Sequence, residues 1–163
     1  MQLKNLFIIR HAKAEEHSFA KQDFDRNLIE KGEERAHRIA QELRYLIKID
    51  EQTLFISSTA NRAWQTAQIF ADVLGYRRDL IQLEDSIYES HHFNILEVIN
   101  QVPATIHTVL LFGHNPGLSN AVDYITDNPV MLKTSNVVQI TLPEGFDFNN
   151  LSVNTGTLTR ILD

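Results

Sequence analysis

The sequence predicts a single α/β domain built around a parallel β-sheet. Three short apolar runs rich in β-branched residues, at residues 6–9, 53–57 and 108–112, alternate with amphipathic stretches. Continuous apolar runs of this length are typical of parallel strands that are buried on both faces. The chain has 163 residues, 43% of them hydrophobic, which is enough for one core, so we interpret residues 1–163 as one domain.

Amphipathic segments between these runs predict the helices that connect the strands. Between the first two runs, apolar residues recur every three or four positions, at Ala36, Ile39, Ala40, Leu43, Leu46 and Ile47. A second helix is predicted from Ala60 to Leu74, with Thr59 as its N-cap and Gly75 at its end. Helices that follow strands in this way favour βαβ units and a parallel sheet.

The second half of the chain predicts two more helices and an added pair of strands. A short helix is predicted from Asn94 to Gln101, and another begins at Pro116 with Asn115 as its N-cap. Two strands, at 137–142 and 151–154, are predicted to form a hairpin or an edge pair.

Composition argues against several classes of function. The chain has 15 Lys and Arg against 21 Asp and Glu, a net charge of −6, which disfavours a nucleic-acid-binding surface. It has no cysteine, which excludes disulfides and a thiolate nucleophile. No stretch approaches the roughly 20 apolar residues of a membrane span, and no secretory leader is evident, so we expect a soluble cytoplasmic protein without a membrane partner. No Gly-rich dinucleotide motif follows a predicted strand, and no cofactor is expected.

Charged and polar residues follow three of the predicted strands. Arg10 and His11 come directly after the first strand. Arg62 lies in the first turn of the helix after the second strand, and His114 follows the third strand. Because ligand sites in open α/β sheets form beyond the carboxyl ends of the strands, we expect these four residues to converge. Such a cluster suits a bound dianion, and guanidinium groups match phosphoryl oxygens especially well.

The same residues predict a reaction as well as a binding site. A neutral imidazole attacks phosphorus if a backbone carbonyl holds one ring nitrogen as N–H and the other nitrogen is free. His11 is the predicted nucleophile, while Arg10, Arg62 and a hydrogen-bonding His114 stabilise the transferring charge without a metal. The reaction would pass through a phosphohistidine intermediate that water hydrolyses.

Four segments, in the order RHAKAE, DFDRNLIEKGEERA, SSTANRAWQTA and LLFGHNPGL, resemble the histidine phosphatase superfamily. They are most similar to its small phosphohistidine phosphatase, or SixA-like, branch. The positions that match superfamily motifs are Arg10, His11, Ser58, Arg62, Gln65, Thr66, Gly113 and His114. The resemblance implies a three-layer α/β/α sandwich with a mostly parallel central sheet.

The resemblance also implies further site residues. Arg26, in FDRNL, lies where a contact with phosphate or substrate is expected, the alternative being a solvated loop arginine. Ser58 and Asn115, which neighbour or match the motifs, are further candidates for substrate binding. Glu89 is the candidate general acid, because larger members of the superfamily use an acidic residue after the third strand; the alternatives are a positioning group or a solvated carboxylate.

Three functions remain in competition at this stage. The leading hypothesis is a metal-independent phosphatase that acts on a phosphorylated substrate, in particular a phosphohistidine-bearing protein partner. The short chain favours it, because relatives that act on small molecules generally carry extra segments. A small-molecule phosphomonoesterase is the second hypothesis, favoured if Glu89 is a working acid. A phosphate-binding module without turnover is the third. The sequence does not indicate an oligomeric state.

Overall fold

The computed structural model describes residues 2–163, which form one six-stranded sheet flanked by four α-helices. The strands are β1 (Asn5–Arg10), β2 (Thr53–Ser57), β3 (Gln82–Leu83), β4 (Thr108–Gly113), β5 (Val137–Thr141) and β6 (Thr157–Leu162). The helices are α1 (Glu30–Arg44), α2 (Asn61–Leu74), α3 (His92–Asn100) and α4 (Gly117–Thr126). The strand order is β3-β2-β4-β1-β5-β6; β3, β2, β4 and β1 are parallel, and β5 and β6 are antiparallel to their neighbours.

Alternate residues of the central strands lie in two separate cores. Leu6 and Ile8 of β1 pack in one core with residues of α3 and α4. Phe7 and Ile9 pack in the other core with residues of α1 and α2. Because helices cover both faces of the sheet, residues 6–9 of β1 are all apolar and do not alternate with polar residues. The predicted α/β class and the three-layer α/β/α sandwich with a mostly parallel sheet are confirmed.

The register of the parallel strands brings three chain segments to one edge of the sheet. Arg10 at the end of β1 is paired with Gly113 at the end of β4, and Ser57 of β2 with Phe112. The pairing continues one residue further, because the N–H of His11 donates to the carbonyl of Gly113 at 3.0 Å. The residues that follow β1, β2 and β4 therefore leave the sheet side by side.

The predicted strand at residues 151–154 is wrong, because the sixth strand is β6, which begins at Thr157, three residues after the predicted strand ends. Leu151 is buried in the core, and its carbonyl accepts a hydrogen bond from Nδ2 of Asn100, as does the carbonyl of Phe148. The segment therefore packs under α3 and does not extend the sheet. The edge strand β6 is largely exposed and rich in polar residues, so its sequence lacks a continuous apolar run.

Two predicted helix features also differ from the structure. Thr59 does not cap α2, because α2 begins at Asn61 and the Thr59 hydroxyl donates to Asp85 at 2.6 Å. Helix α1 ends at Arg44, so Leu46 and Ile47, the last two residues of the predicted apolar face, lie outside the helix. Gly75 does end α2, with the left-handed backbone that favours glycine. Within residues 2–163, no helix is both long and apolar enough to cross a lipid bilayer.

The loop after β1, residues 12–28, is held tightly against α1. A Cβ atom on Gly32 of α1 would overlap the carbonyl oxygen of Lys13, so only glycine permits this approach. The backbone N–H of Ile29 donates to the same carbonyl at 3.1 Å. The packing fixes the chain two residues after His11 and therefore contributes to the geometry of the site.

We expect Gly32→Ala to destabilise the protein, although alanine is the better helix former by about 1 kcal/mol. The added methyl group must displace the Lys13 backbone, and we expect a net loss of at least about 1 kcal/mol in the free energy of unfolding. Lys31→Ala, at an exposed neighbouring position, is the control and should change that free energy by less than about 0.5 kcal/mol. Urea unfolding of the three proteins measures the difference, and a Gly32→Ala variant at least as stable as wild type would contradict the packing.

Candidate active site

Arg10, His11, Arg62 and His114 meet at the carboxyl edge of the parallel strands; we refer to these four residues as the cup. The imidazole rings of His11 and His114 are 5.2 Å apart between centroids. His11, Arg62 and His114 are each more than nine-tenths buried. Burial and the neighbouring charge of Arg62 lower the pKa of Arg10, which indicates that the two guanidinium groups lie close together. The four residues from separate segments therefore share one place in the fold.

The hydrogen bonds around His11 fix its tautomer. Nδ1 of His11 lies 2.7 Å from the carbonyl oxygen of Ala12. A carbonyl only accepts, so Nδ1 carries the proton and Nε2 carries a free lone pair. Ala12 is held in turn by Thr66, whose hydroxyl accepts from the Ala12 N–H at 2.9 Å and donates to the carbonyl of Arg62 at 2.7 Å. The ring of His11 is thus oriented by the backbone and by α2.

Burial keeps His11 neutral. Burial lowers its pKa to about 4, the hydrogen bond to Ala12 opposes this shift, and the charges of Arg62 and Arg10 add to it. At neutral pH the ring is therefore uncharged, with Nε2 available as a nucleophile.

His114 is a hydrogen-bond donor directed by Ser58. Nε2 of His114 lies 2.8 Å from the Ser58 hydroxyl, which also accepts from the N–H of Ala60 at 3.2 Å. The hydroxyl proton is free to be donated to Nε2, and in the tautomer that receives it the ring proton of His114 lies on Nδ1. That Nδ1 is buried and has no partner within residues 2–163. Burial, followed by the charges of His11 and Arg62, lowers the pKa of His114 to about 3.

The arginines near the cup are held by short contacts. Nη1 of Arg62 donates to the backbone carbonyl of Asp23 at 2.8 Å, and Nη2 donates to its carboxylate at 3.1 Å. Nη1 of Arg26 donates to the other oxygen of the same carboxylate at 2.9 Å. Nη1 of Arg10 donates to the carbonyl of Leu132 at 3.0 Å. The Nε atoms of the three arginines are buried donors without an acceptor in the described part of the chain, so each leaves one hydrogen bond unmade.

Asp23 and Tyr88 are the site residues that the sequence did not reveal. The Tyr88 hydroxyl donates to the Asp23 carboxylate at 2.6 Å, and the Tyr88 ring lies edge-on to His114 at 5.6 Å. The segment DFDRNL contains two aspartates, Asp23 and Asp25, and nothing in its pattern separates the contacting one from the exposed one. Burial and the hydrogen bond to Asp23 raise the pKa of Tyr88, so its hydroxyl keeps its proton.

Three other predicted residues lie at the edge of this cluster or behind it. Ser58 is fully buried behind His114. Both ends of the Asn115 amide are bound to protein, since Nδ2 donates to Leu132 at 2.7 Å and Oδ1 accepts from Ser119. Glu89 is exposed in the turn before α3, with a left-handed φ of 52°, and forms no hydrogen bond or ion pair within residues 2–163. Contact of these residues with substrate stays a prediction; the geometry favours positioning roles for Ser58 and Asn115.

Comparison with known proteins places the chain in a family. Residues 6–99, more than half of the chain, match the model of the histidine phosphatase superfamily, branch 1. The chain belongs to the histidine phosphatase superfamily. The matched region contains Arg10, His11, Arg26 and Arg62 of the site, while His114 lies beyond it and is assigned from the geometry of the cup.

One sequence relative and two solved structures are similar to the chain at low sequence identity. An uncharacterised chloroplastic protein of Arabidopsis thaliana is 28% identical over 143 residues, which cover 82% of this chain but only 64% of that protein. The solved structure of a protein of Nakamurella multipartitia that is named as a phosphohistidine phosphatase SixA superposes with a TM-score of 0.80 at 20% identity, covering 100% of this chain and 97% of that one. The solved structure of the protein histidine phosphatase SixA in complex with tungstate superposes with a TM-score of 0.76 at 20% identity. The superposition covers 97% of this chain and 96% of that one.

The low pKa of His114 predicts that acid destabilises the protein. Its ordinary pKa is 6.5 and its pKa in the folded protein is about 3, so below pH 6.5 the unfolded chain binds a proton that the folded chain does not. The stability contributed by this residue is complete above pH 6.5 and is lost as the pH falls toward 3. His114→Gln removes the titration, so its free energy of unfolding should fall by about 1–2 kcal/mol less than that of wild type between pH 7 and pH 5. Equal losses, measured by urea unfolding at both pH values, would contradict the neutral buried ring.

Proposed function

We propose that the chain is a phosphatase that needs no metal, that it works through a covalent phosphohistidine at His11, and that its substrate is a phosphohistidine on a protein. The observation that carries the proposal is the free Nε2 of a neutral, buried His11 beside two guanidinium groups. An imidazole held in this way can act as a nucleophile, and the guanidinium groups that would bind the phosphoryl group already lie beside it.

The chemistry follows from the His11 hydrogen bond. In the first step the Nε2 lone pair bonds to phosphorus while the bond from phosphorus to the leaving atom of the substrate breaks. The phosphorylated ring keeps the proton on Nδ1, and the carbonyl of Ala12, 2.7 Å away, stabilises the resulting positive charge. In the second step water attacks phosphorus, the bond from phosphorus to Nε2 breaks, and inorganic phosphate leaves.

Fixed donors stabilise the phosphoryl oxygens in both steps. Arg10 and Arg62 provide two guanidinium groups, and His114 provides an N–H at Nδ1 when Ser58 donates to its Nε2, since that Nδ1 has no partner within residues 2–163. Helix α2 begins at Asn61, next to Arg62, so its N-terminal dipole also favours negative charge at this place. Because these groups are in position before the substrate binds, they need little reorganisation during the reaction.

A phosphohistidine substrate suits this site because its leaving group is itself an imidazole. Transfer from one imidazole to another exchanges nearly equivalent bonds, and a ring that already carries a proton on its second nitrogen leaves as a neutral molecule. Imidazole has a conjugate-acid pKa of about 6.5, so it needs far less protonation than an alkoxide. The shared fold with proteins named as phosphohistidine phosphatases supports the same substrate class.

One observation favours the alternative, a small-molecule phosphomonoesterase. The Glu89 carboxylate is exposed, has no partner among the described residues and follows Tyr88, which contacts His114. A carboxyl group in that position is available to protonate an alkoxide leaving group. The two candidate functions differ in the leaving group and share the nucleophile.

We expect His11→Ala to lower turnover of a phosphohistidine-bearing protein by at least about 10³-fold, because no second nucleophile replaces Nε2. His37→Ala is the matched control, since His37 lies on the exposed face of α1. Its rate should equal that of wild type. Release of inorganic phosphate measures both rates. Retained activity in His11→Ala would refute the assignment of His11 as the nucleophile. If the wild-type protein shows no turnover, the remaining hypothesis is a phosphate-binding module without activity.

The same assay with a sugar phosphate separates the two enzyme functions. If the substrate is a phosphohistidine protein, kcat/KM for it should exceed that for the sugar phosphate by at least about 10²-fold, because the site lacks an acid fixed on the leaving group. Glu89→Gln should leave the rate on the protein substrate unchanged. A preference for the sugar phosphate that Glu89→Gln abolishes would establish the alternative.

A further inference from the structure

The Asp23 carboxylate is the acceptor for donors from three parts of the chain. Oδ2 accepts from the Tyr88 hydroxyl at 2.6 Å and from Nη2 of Arg62 at 3.1 Å. Oδ1 accepts from Nη1 of Arg26 at 2.9 Å. Within residues 2–163, it is the one carboxylate that forms an ion pair with either arginine. Asp23 therefore occupies the kind of position that an oxygen of a bound anion would take.

Asp23 is ionised in this setting. Burial favours the neutral carboxyl, but the hydrogen bond from Tyr88 and the charge of Arg62 outweigh burial and lower the pKa of Asp23. The groups that contact the Asp23 carboxylate are thus the guanidinium groups of Arg26 and Arg62, the Tyr88 hydroxyl and, 3.4 Å from Oδ1, Nδ1 of the exposed His17 ring. A phosphoryl dianion that enters the cup meets a negative charge already bound to Arg62.

We infer that Asp23 is an internal anion that occupies the terminal nitrogens of Arg62 and Arg26 until a phosphoryl group replaces it. This inference rests on the proposed function, because it assumes that the cup receives a phosphoryl group. Asp23 then sets the affinity of the site. The binding free energy of an anionic ligand is then only the difference between its own attraction to the arginines and the attraction of the Asp23 carboxylate that it displaces. Dianions overcome this competition more readily than monoanions do.

The replacement requires a rotation of one side chain and no opening of the loop. Nearly a third of the Asp23 side chain is exposed, so the carboxylate can turn toward solvent. The backbone beside it is tethered to α2, since Nδ2 of Asn61 donates to the carbonyl of Asp25 at 3.2 Å. Gln65 holds the next residues, accepting from the Leu28 N–H at 2.9 Å. The carbonyl of Asp23 can therefore keep its contact with Nη1 of Arg62 while the carboxylate leaves.

The test is the affinity for inorganic phosphate, measured by calorimetry at constant ionic strength. Asp23→Asn keeps the shape of the side chain and removes its charge, so Kd for phosphate should fall on the order of tenfold. Asp25→Asn removes the same charge two residues away, from an exposed side chain outside the cluster, and should change Kd less than twofold. An unchanged Kd in Asp23→Asn would overturn the inference. A raised Kd would overturn it as well and would make Asp23 a residue that positions Arg62.

A second variant keeps the charge and weakens the contact. Tyr88→Phe removes one donor to Oδ2 of Asp23, so Kd for phosphate should fall about two- to fivefold.

Dimethyl phosphate, a monoanion, should compete with phosphate in Asp23→Asn and not in wild type at the same concentration; equal competition would overturn the preference for dianions. Phosphate binding does not depend on turnover, so a protein that binds phosphate as described but hydrolyses nothing would refute the proposed function and leave this inference standing.

Discussion

The hydrogen bond between Nδ1 of His11 and the carbonyl of Ala12 decides what the site can do. It fixes one tautomer, leaves Nε2 free and, in the proposed reaction, would stabilise the charge that a phosphorylated ring acquires. The bond itself depends on the pairing of β1 with β4 and on Thr66, which holds Ala12 from α2. The parallel sheet and the helix behind it therefore act as the support of a single imidazole.

The second constraint is the cost of gathering like charges in a buried place. Burial and mutual repulsion lower the pKa values of Arg10, His11 and His114, so the folded protein holds these groups less favourably than water does. The two apolar cores, formed on opposite faces of the sheet, offset this cost. Asp23 reduces it further by placing a carboxylate between two guanidinium groups. Stability and anion affinity are thus opposed at this residue, which is a common trade-off at functional sites.

The sequence was sufficient to predict the strands that are buried on both faces of the sheet and the site residues that follow them. Strands β1, β2 and β4 are continuous apolar runs, and the register of a parallel sheet brings their ends together, so the convergence of His11 and His114 followed from the pattern. Strand β6 could not be found in this way because it is an exposed edge, and the apolar side chain of Leu151 belongs to the core under α3. Asp23 and Tyr88 depend on how a loop folds over α2, a long-range arrangement that local pattern does not encode.

The central claim is that Nε2 of His11 accepts the phosphoryl group. The most direct measurement is 31P NMR of the wild-type protein mixed with a phosphohistidine-bearing protein, quenched and unfolded in alkali, and combined with mass spectrometry of its peptides. The structure predicts an acid-labile phosphoramidate on Nε2 of His11, because Nδ1 is committed to Ala12. A phosphoramidate on Nδ1 or on another residue, or hydrolysis without any adduct in a quench fast enough to sample a single turnover, would contradict it.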